Sequence, residues 1–82
     1  MKPEMRRKRF TQGEAEHMRG RRVRSVVEFT DIPKGTTGRV IGADEIEPGG
    51  FEILVEWELP GRHQRQHDWF TREDFEHSLI EV

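Results

Sequence analysis

The chain contains no cysteine and no tyrosine, and only 32% of its 82 residues are apolar. Without cysteine it has no disulfide, no thiolate zinc site and no thiol nucleophile. No apolar run approaches the roughly 20 residues that span a bilayer, and the basic start is not followed by the hydrophobic stretch of a signal peptide. These absences predict one small cytoplasmic domain without membrane contact, whose limited core lies in a few elements.

Charge is distributed unevenly along the chain. Residues 1–25 carry nine Lys and Arg against three Asp and Glu, whereas residues 26–82 carry five against thirteen. A basic arm of this kind binds nucleic acid or an acidic protein, or lies on the acidic body of its own chain. The sequence leaves these alternatives open.

The N-terminal part divides into two segments. Residues 1–10 show no periodicity and include four consecutive cations, which predicts a flexible basic tail. Thr11 and Glu14 then have the spacing of a capping box, in which each side chain accepts a hydrogen bond from a backbone N–H of the first helical turn. The segment 11–20 is therefore predicted to form a short helix that covers about residues 12–19.

From residue 21 the hydrophobic period changes from helical to alternating, which is typical of strands. The clearest alternation is in the third strand, where inward apolar residues alternate with three glutamates. Thr71 begins a cap-and-acid pattern that predicts a single helical turn before the last strand. The predicted strands cover residues 22–29, 39–43, 51–58, 67–71 and 79–82.

This order of elements predicts a mainly β protein. The predicted fold is a five-stranded SH3-like barrel over residues 21–82, with a short N-terminal α-helix and one helical turn before the last strand. An OB-fold is the alternative, but it usually needs a longer chain and a helix between strands three and four. The apolar residues expected to fill the barrel are Val27, Phe29, Ile41, Ile53, Val55, Trp57, Phe70 and Phe75.

Two stretches carry a resemblance to known families. The segment from Val26 to Ile41, VVEFTDIPKGTTGRVI, resembles the opening of SH3-like barrels such as KOW-type ribosomal and transcription-factor modules, in which Gly-x-x-Gly-x-Val begins strand two. The remainder is similar to the small barrels of photosynthetic electron transfer, among them photosystem I subunit IV and the variable chain of ferredoxin-thioredoxin reductase. Those proteins are scaffolds rather than catalysts. The resemblance therefore implies a noncatalytic accessory subunit.

One cluster of metal-ligand residue types occurs in the chain. His63, His67 and Asp68 lie within six residues of one another and are weak candidates for a metal site. Zinc and nickel need three or four converging ligands. Histidines four residues apart converge on a helix, which Pro60 and the following strand disfavour. The sequence favours a polar loop, and it predicts neither a metal nor a cofactor.

Catalytic patterns are weak as well. Most hydroxyl side chains have turn or capping explanations, and none is paired with a histidine in a suggestive local context. Lys34 to Thr37 has the residues of a phosphate-binding loop in the wrong order and spacing. The sequence predicts a protein that is not an enzyme.

Nucleic-acid binding is the alternative function. A stripe of cations can run from the tail through the helix to the outer face of the first strand and contact phosphates or an acidic partner. The acidic body of the chain and its lack of tyrosine disfavour base readout. The stripe consists of Arg6, Arg7, Lys8, Arg9, Arg19, Arg21, Arg22 and Arg24.

Four apolar side chains have the parity opposite to the predicted core, namely Val26, Val40, Leu54 and Trp69. An apolar patch on a small barrel must be covered. Leu54 and Trp69 are therefore expected to be buried by the helix or by another chain. This patch favours a noncatalytic protein-interaction module, with another protein or self-association as the partner and no small-molecule substrate indicated.

Overall fold

A computed structural model describes residues 9–29, 31–61 and 65–82. Five strands and two helices are present in this part of the chain, so the predicted mainly β architecture with an N-terminal helix is confirmed. In chain order the elements are α1 (Gln12–Met18), β1 (Arg22–Ser25), β2 (Thr37–Glu47), β3 (Gly50–Trp57), β4 (His67–Phe70), α2 (Arg72–Ser78) and β5 (Leu79–Glu81).

The five strands form one antiparallel sheet in the order β4-β3-β2-β1-β5. The first strand in sequence thus lies between β2 and the last strand. Within the described residues no pairing joins β4 to β5 at the two ends of the sheet. Closure of the sheet into a barrel therefore stays a prediction.

Both helices begin at the threonines that the sequence indicated. Thr11 Oγ1 accepts a hydrogen bond from Glu14 N at 3.2 Å, and Glu14 Oε1 accepts one from Thr11 N at 2.9 Å, which is the predicted capping box. Thr71 Oγ1 accepts from Asp74 N at 3.1 Å at the start of α2. Because no glycine or proline interrupts residues 72–78, α2 extends to seven residues, longer than the predicted single turn.

The core lies on one face of the sheet, called here the inner face, and α1 packs against it. Ile53, Val55, Trp57 and Phe70 are buried as predicted, whereas Phe29 and Phe75 are only partly buried and pack at its margin. The buried apolar residues are Phe10, Ala15, Met18, Val23, Ile32, Val40, Ile53, Val55, Trp57, Phe70 and Leu79.

The prediction that Val27 belongs to the core is wrong, because its exposed fraction is 37%. β1 ends at Ser25, whose buried hydroxyl donates to the Pro33 carbonyl at 3.1 Å and accepts from Thr36 N at 3.1 Å. These bonds tie the end of the strand to the following turn. The period of two therefore stops before Val27.

The predicted positions of Val40 and Ile41 are also wrong, and they are exchanged. Val40 pairs with Val55, and Gly42 pairs with Leu54, so Ile41 is the extra residue of a β-bulge. A bulge shifts the parity of every later residue in the strand. Val40 lies before the bulge and faces the core together with Gly38, so only 1% of it is exposed, whereas Ile41 at the bulge is 39% exposed.

The expected position of the N-terminal helix needs correction. Ala15 and Met18 of α1 are buried in the same cluster as the inner-face residues, so α1 covers the inner face rather than the outward patch. Phe10, placed by the sequence at the end of the tail, is also buried, and its ring meets that of Phe75 at a centroid distance of 6.0 Å. The amphipathic segment thus completes the core.

The hairpin between β2 and β3 is longer than predicted. The acidic residues Asp44 to Glu47 lie outside the predicted strands 39–43 and 51–58, yet they continue β2, and β3 begins at Gly50. Gly49, with φ of 78°, provides the left-handed position of the turn. Several carboxylates are therefore held on a regular sheet.

Candidate functional site

The most exposed aromatic side chain of the described residues is Trp69 on β4. Phe70 points to the core, so its neighbour Trp69 points to the opposite face of the sheet, called here the outer face, where 48% of it is exposed. It lies opposite Leu54 on β3, which in turn lies opposite Gly42 on β2. An aromatic and an aliphatic side chain thus form an apolar row across three strands.

Gly42 adds no side chain beside the half-buried Leu54 in this row. A Cβ atom at position 42 would lie 3.7 Å from Leu54 Cβ, an ordinary contact distance. Leu54 therefore sits beside bare backbone on the β2 side and faces Trp69 on the β4 side.

A concavity of about 260 Å³ adjoins Trp69 on the side of the hairpin. Its walls combine the indole, an exposed isoleucine and two carboxylates, from Asp44, Ile46, Glu52 and Trp69. With Leu54, these four residues are called here the Trp69 face.

The two carboxylates of the Trp69 face are direct neighbours, because Asp44 and Glu52 are paired in the β2–β3 register. Asp44 Oδ1 accepts a hydrogen bond from Glu45 N at 2.9 Å. Within the described residues neither carboxylate forms an ion pair. Like charges directly opposite on a ladder repel each other, so this part of the outer face favours an added cation.

A second concavity, of about 340 Å³, lies beside β4 and the start of α2. It also contains two carboxylates, of which Asp68 accepts a hydrogen bond from the buried Trp57 Nε1 at 2.8 Å. The lining residues are Phe29, Asp68, Trp69, Phe70, Asp74 and Ser78. Asp68 has the inward parity of Phe70, so this concavity opens at the margin of the inner-face core and is separate from the Trp69 face.

A third concavity, of about 260 Å³, lies between the two helices. Its apolar floor includes Phe10 and Met18, which are almost fully buried. On its rim Arg72 pairs with Glu14 at 3.2 Å and with Glu76 at 3.3 Å. These ion pairs join the helices, so we assign this concavity to packing of the domain.

Most of the described arginines of the predicted cationic stripe form ion pairs with carboxylates of the same chain. Arg9 pairs with Glu47 at 2.7 Å, Arg22 with Glu58 at 2.9 Å and Arg19 with Glu16 at 3.3 Å. Ion pairing of this kind reduces the positive potential that attracts phosphates.

Two cations of the stripe differ in their surroundings. Arg21 lies 2.9 Å from His17 Nε2 and 4.0 Å from Glu81, whereas Arg24 has no ion pair with the described residues. Arg6, Arg7 and Lys8 lie outside the described residues. Among the described arginines of the predicted stripe, only Arg24 is therefore unpaired.

The predicted outward patch is found in part. Leu54 and Trp69 lie side by side as expected, and Val26 is half-buried beyond the end of β1. Val40 instead belongs to the core, where it pairs with the buried Val55. α1 does not cover Trp69, so burial of Trp69 by the helix is wrong, while burial by another chain stays a prediction.

Ile46, Asp44 and Glu52 of the Trp69 face were not predicted as site residues. The turn-rich sequence that ends in Pro48, Gly49 and Gly50 suggested a loop, although the outward parity of Glu52 was visible in β3. Continuing the alternation of β2 past residue 43 would have placed Asp44 beside it.

The candidate metal ligands His67 and Asp68 interact with different partners. His67 Nε2 lies 3.1 Å from Glu56 Oε2, and Asp68 receives the indole N–H of Trp57. His63 lies outside the described residues. Among residues 9–29, 31–61 and 65–82, no three ligand side chains converge on one point.

Comparison with protein-family models, curated protein sequences and solved structures finds no match to this chain. Neither helix described above has the length and apolar character required to cross a membrane. The functional interpretation therefore depends on the Trp69 face and its surroundings.

Proposed function

We propose that this protein is a noncatalytic interaction module that binds another protein through the Trp69 face. The observation that carries the proposal is the 48% exposure of Trp69 in a row with Leu54. Tryptophan is enriched at the energetic centres of interfaces because it combines a large apolar area with one polar group. Covering this indole on binding removes apolar surface from water at roughly 25 cal/mol per Å².

The architecture supports an SH3-like module as the scaffold. One short helix joins β4 to β5, as the predicted order of elements has it, and β1 lies between β2 and β5 in the sheet. Curling of this sheet about the inner-face core would give the proposed barrel. The outer face would then be the convex surface on which partners bind.

The uses of the hydroxyl groups support a noncatalytic role. Thr11 and Thr71 cap the two helices, and Ser25 and Thr36 bond to the Pro33 carbonyl. Each of these side chains therefore has a structural partner, and none of these bonds joins a hydroxyl to a histidine base.

Nucleic-acid binding is the competing hypothesis, and the surroundings of the arginines favour it less. Contacts to phosphates require cations that are free to replace counterions, whereas Arg9, Arg19 and Arg22 each pair with a carboxylate. The carboxylates of Asp44 and Glu52 beside Trp69 would repel a phosphate backbone.

The test compares the full chain with Trp69→Ala as baits in extracts of the native host treated with nuclease. Ile80→Ala is the matched control, because Ile80 is 45% exposed on β5 at the other end of the sheet. We expect a nuclease-resistant protein partner that Trp69→Ala loses and Ile80→Ala retains. Binding that disappears with nuclease and ignores Trp69→Ala would overturn the proposal.

A titration with generic DNA and RNA tests the competing hypothesis directly. Binding through the arginines should weaken steeply with salt and lose slope when Arg21, Arg22 and Arg24 become glutamine. We expect no binding at low salt. A steep, arginine-dependent titration would favour nucleic acid over protein as the partner.

A further inference from the structure

The outer face of the sheet has three rows of side chains that run across the strands. The middle row is apolar and contains Trp69, Leu54 and Gly42. Along β3, Glu52 lies two residues before Leu54 and Glu56 two residues after it, so both point to the same face about 7 Å from this row. The apolar row is therefore flanked by a charged row on each side.

The two flanking rows differ in charge. Next to the hairpin, Asp44 of β2 lies opposite Glu52, and this pair is called here the acidic row. On the other side, Arg39 of β2 lies between Glu56 of β3 and Arg22 of β1, and the two arginines are called here the basic row. The strand β2 thus contributes an acid to one row and a base to the other.

Arg39 and Asp44 form no ion pair with any residue that the structure describes. Arg39 instead donates a hydrogen bond to the Gly20 carbonyl oxygen at 3.3 Å. The residues opposite them on β3, Glu56 and Glu52, are four positions apart, which corresponds to about 13 Å along the strand. That separation keeps the two charges apart, so each is available to another molecule.

The charges are arranged symmetrically about the apolar row. Because Leu54 lies midway between Glu52 and Glu56, a two-fold axis along this row places the acidic row of one copy over the basic row of a second copy. Asp44 of each copy then meets Arg39 of the other, so the same contact forms twice. A two-fold axis along the strands would instead place like charges on each other, which is costly.

We propose that the outer face binds a second copy of this chain, with the two sheets packed face to face about the apolar row. This inference rests on the proposed function, because it names the partner of the Trp69 face. Trp69 and Leu54 provide the apolar centre, and the contacts between Asp44 and Arg39 fix the orientation. Opposite charges at mirrored positions favour a second copy over an unrelated protein, since an isologous contact uses the same surface on both sides.

One contact of this arrangement brings like charges together. Glu52 of one copy lies over Glu56 of the other, whose carboxylate already binds Arg65 and His67 at 3.1 Å each. The Arg65 side chain is 70% exposed, so its guanidinium can bridge both carboxylates. The repulsion is thereby reduced, and the association is expected to be weak rather than absent.

Sedimentation velocity of the full chain over a range of concentrations measures this association. We expect the mass to rise from one chain towards two as the concentration passes about 10 μM, an affinity typical of small interfaces. Trp69→Ala should remain a monomer there. Val27→Ala, at an exposed apolar position beyond the end of β1, should behave like the parent chain. A full chain that stays a monomer at every concentration would overturn the proposal.

A charge swap tests the orientation of the two copies. Asp44→Arg places two cations in each contact and Arg39→Glu places two anions there, so each variant should weaken self-association more than about tenfold. An equimolar mixture of the two variants has only opposite charges across these contacts and should form a dimer with the parental affinity. A mixture that fails to associate, although circular dichroism shows both variants folded, would overturn the proposal.

Glu28→Arg and Lys34→Glu are the matched controls for the charge swap. Both residues are exposed in the segment between β1 and β2, away from the three rows, and the substitutions make the same changes of net charge. We expect both controls to associate like the parent chain. Equal weakening by the controls and by the swap variants would reject the assigned contacts, since it would show an effect of net charge alone.

The outcomes distinguish this inference from the proposed function. A chain that stays a monomer but captures a different host protein through Trp69 would retain the interaction module and reject the second copy. A dimer that follows the charge swap, together with a host protein that binds independently of Trp69, would retain the second copy and reject the Trp69 face as the site for that protein.

Discussion

The inner and outer faces of the sheet differ in how tightly their side chains are packed. On the inner face, Val23, Val55 and Trp57 are packed to an exposed fraction of 1% or less. On the outer face, Leu54 is half-buried, Trp69 is half-exposed, and ion pairs such as Arg22 with Glu58 lie in water. Packing therefore restricts residue choice on the inner face, whereas the outer face is free to take the composition that a ligand needs.

The largest difference in stability is expected between alanine substitutions at the two glycines of β2, Gly38 and Gly42. A Cβ at Gly38 would lie 2.8 Å from Val55 Cγ1 and 2.9 Å from the Glu56 carbonyl oxygen, which cannot move away easily. Gly38→Ala should cost about 3 kcal/mol of unfolding free energy. At Gly42 the same change meets only ordinary contacts, and Gly42→Ala should stay within about 0.5 kcal/mol. Urea unfolding of both variants measures the difference, and equal costs would contradict it.

The neighbours Val55 and Leu54 on β3 provide the next comparison. Val55→Ala opens a cavity in the packed core and should cost about 2 to 3 kcal/mol. Leu54→Ala removes a side chain already in partial contact with water and should cost about 1 kcal/mol. Thermal or urea unfolding measures both values. If Leu54→Ala is the more damaging change, the outer face is packed more tightly than described.

Threonine substitutions at Val40 and Ile41 compare a buried and an exposed position at the β-bulge. Val40→Thr buries a hydroxyl without a partner and should cost about 1 to 2 kcal/mol, although the side chain keeps its shape. Ile41→Thr places the hydroxyl in water and should change the unfolding free energy by less than about 0.5 kcal/mol. A regular strand without the bulge would reverse this order.

The smallest effect is expected from the ion pairs of the outer face. Arg22 and Glu58 are each about half exposed, and such pairs contribute little because water and salt screen them. Arg22→Gln should change the unfolding free energy by less than about 0.5 kcal/mol. A double-mutant cycle with Glu58→Gln measures the coupling directly. A coupling above about 1 kcal/mol would show that the outer face also contributes to folding.

The two long strands show where sequence patterns predict structure well. In β3 the alternation is unbroken, and Ile53, Val55 and Trp57 were all assigned correctly to the inner face. In β2 the same rule failed from Val40 to Ile41, because one extra residue was inserted without any local sign. Ile41 is as apolar as Val40, so composition alone could not identify the bulged position.

The candidate site was predictable to a similar extent. Parity alone placed Leu54 and Trp69 together on the outer face, because β3 and β4 are regular at those positions. Asp44 and Ile46 were missed, since their acidic and glycine-rich surroundings are typical of a loop. Their place beside Trp69 depends on β2 continuing through the hairpin and on its register with β3.

The sequence by itself determined the features that depend on near neighbours. These are the two threonine caps, the apolar alternation of β3 and the mainly β composition, each produced by local hydrogen bonding or a short repeat. Tertiary structure decided which face α1 covers, which of Val40 and Ile41 is buried, and that Asp44 and Glu52 lie beside Trp69. Those outcomes depend on register and packing between elements far apart in the chain, where a shift of one residue exchanges the two faces.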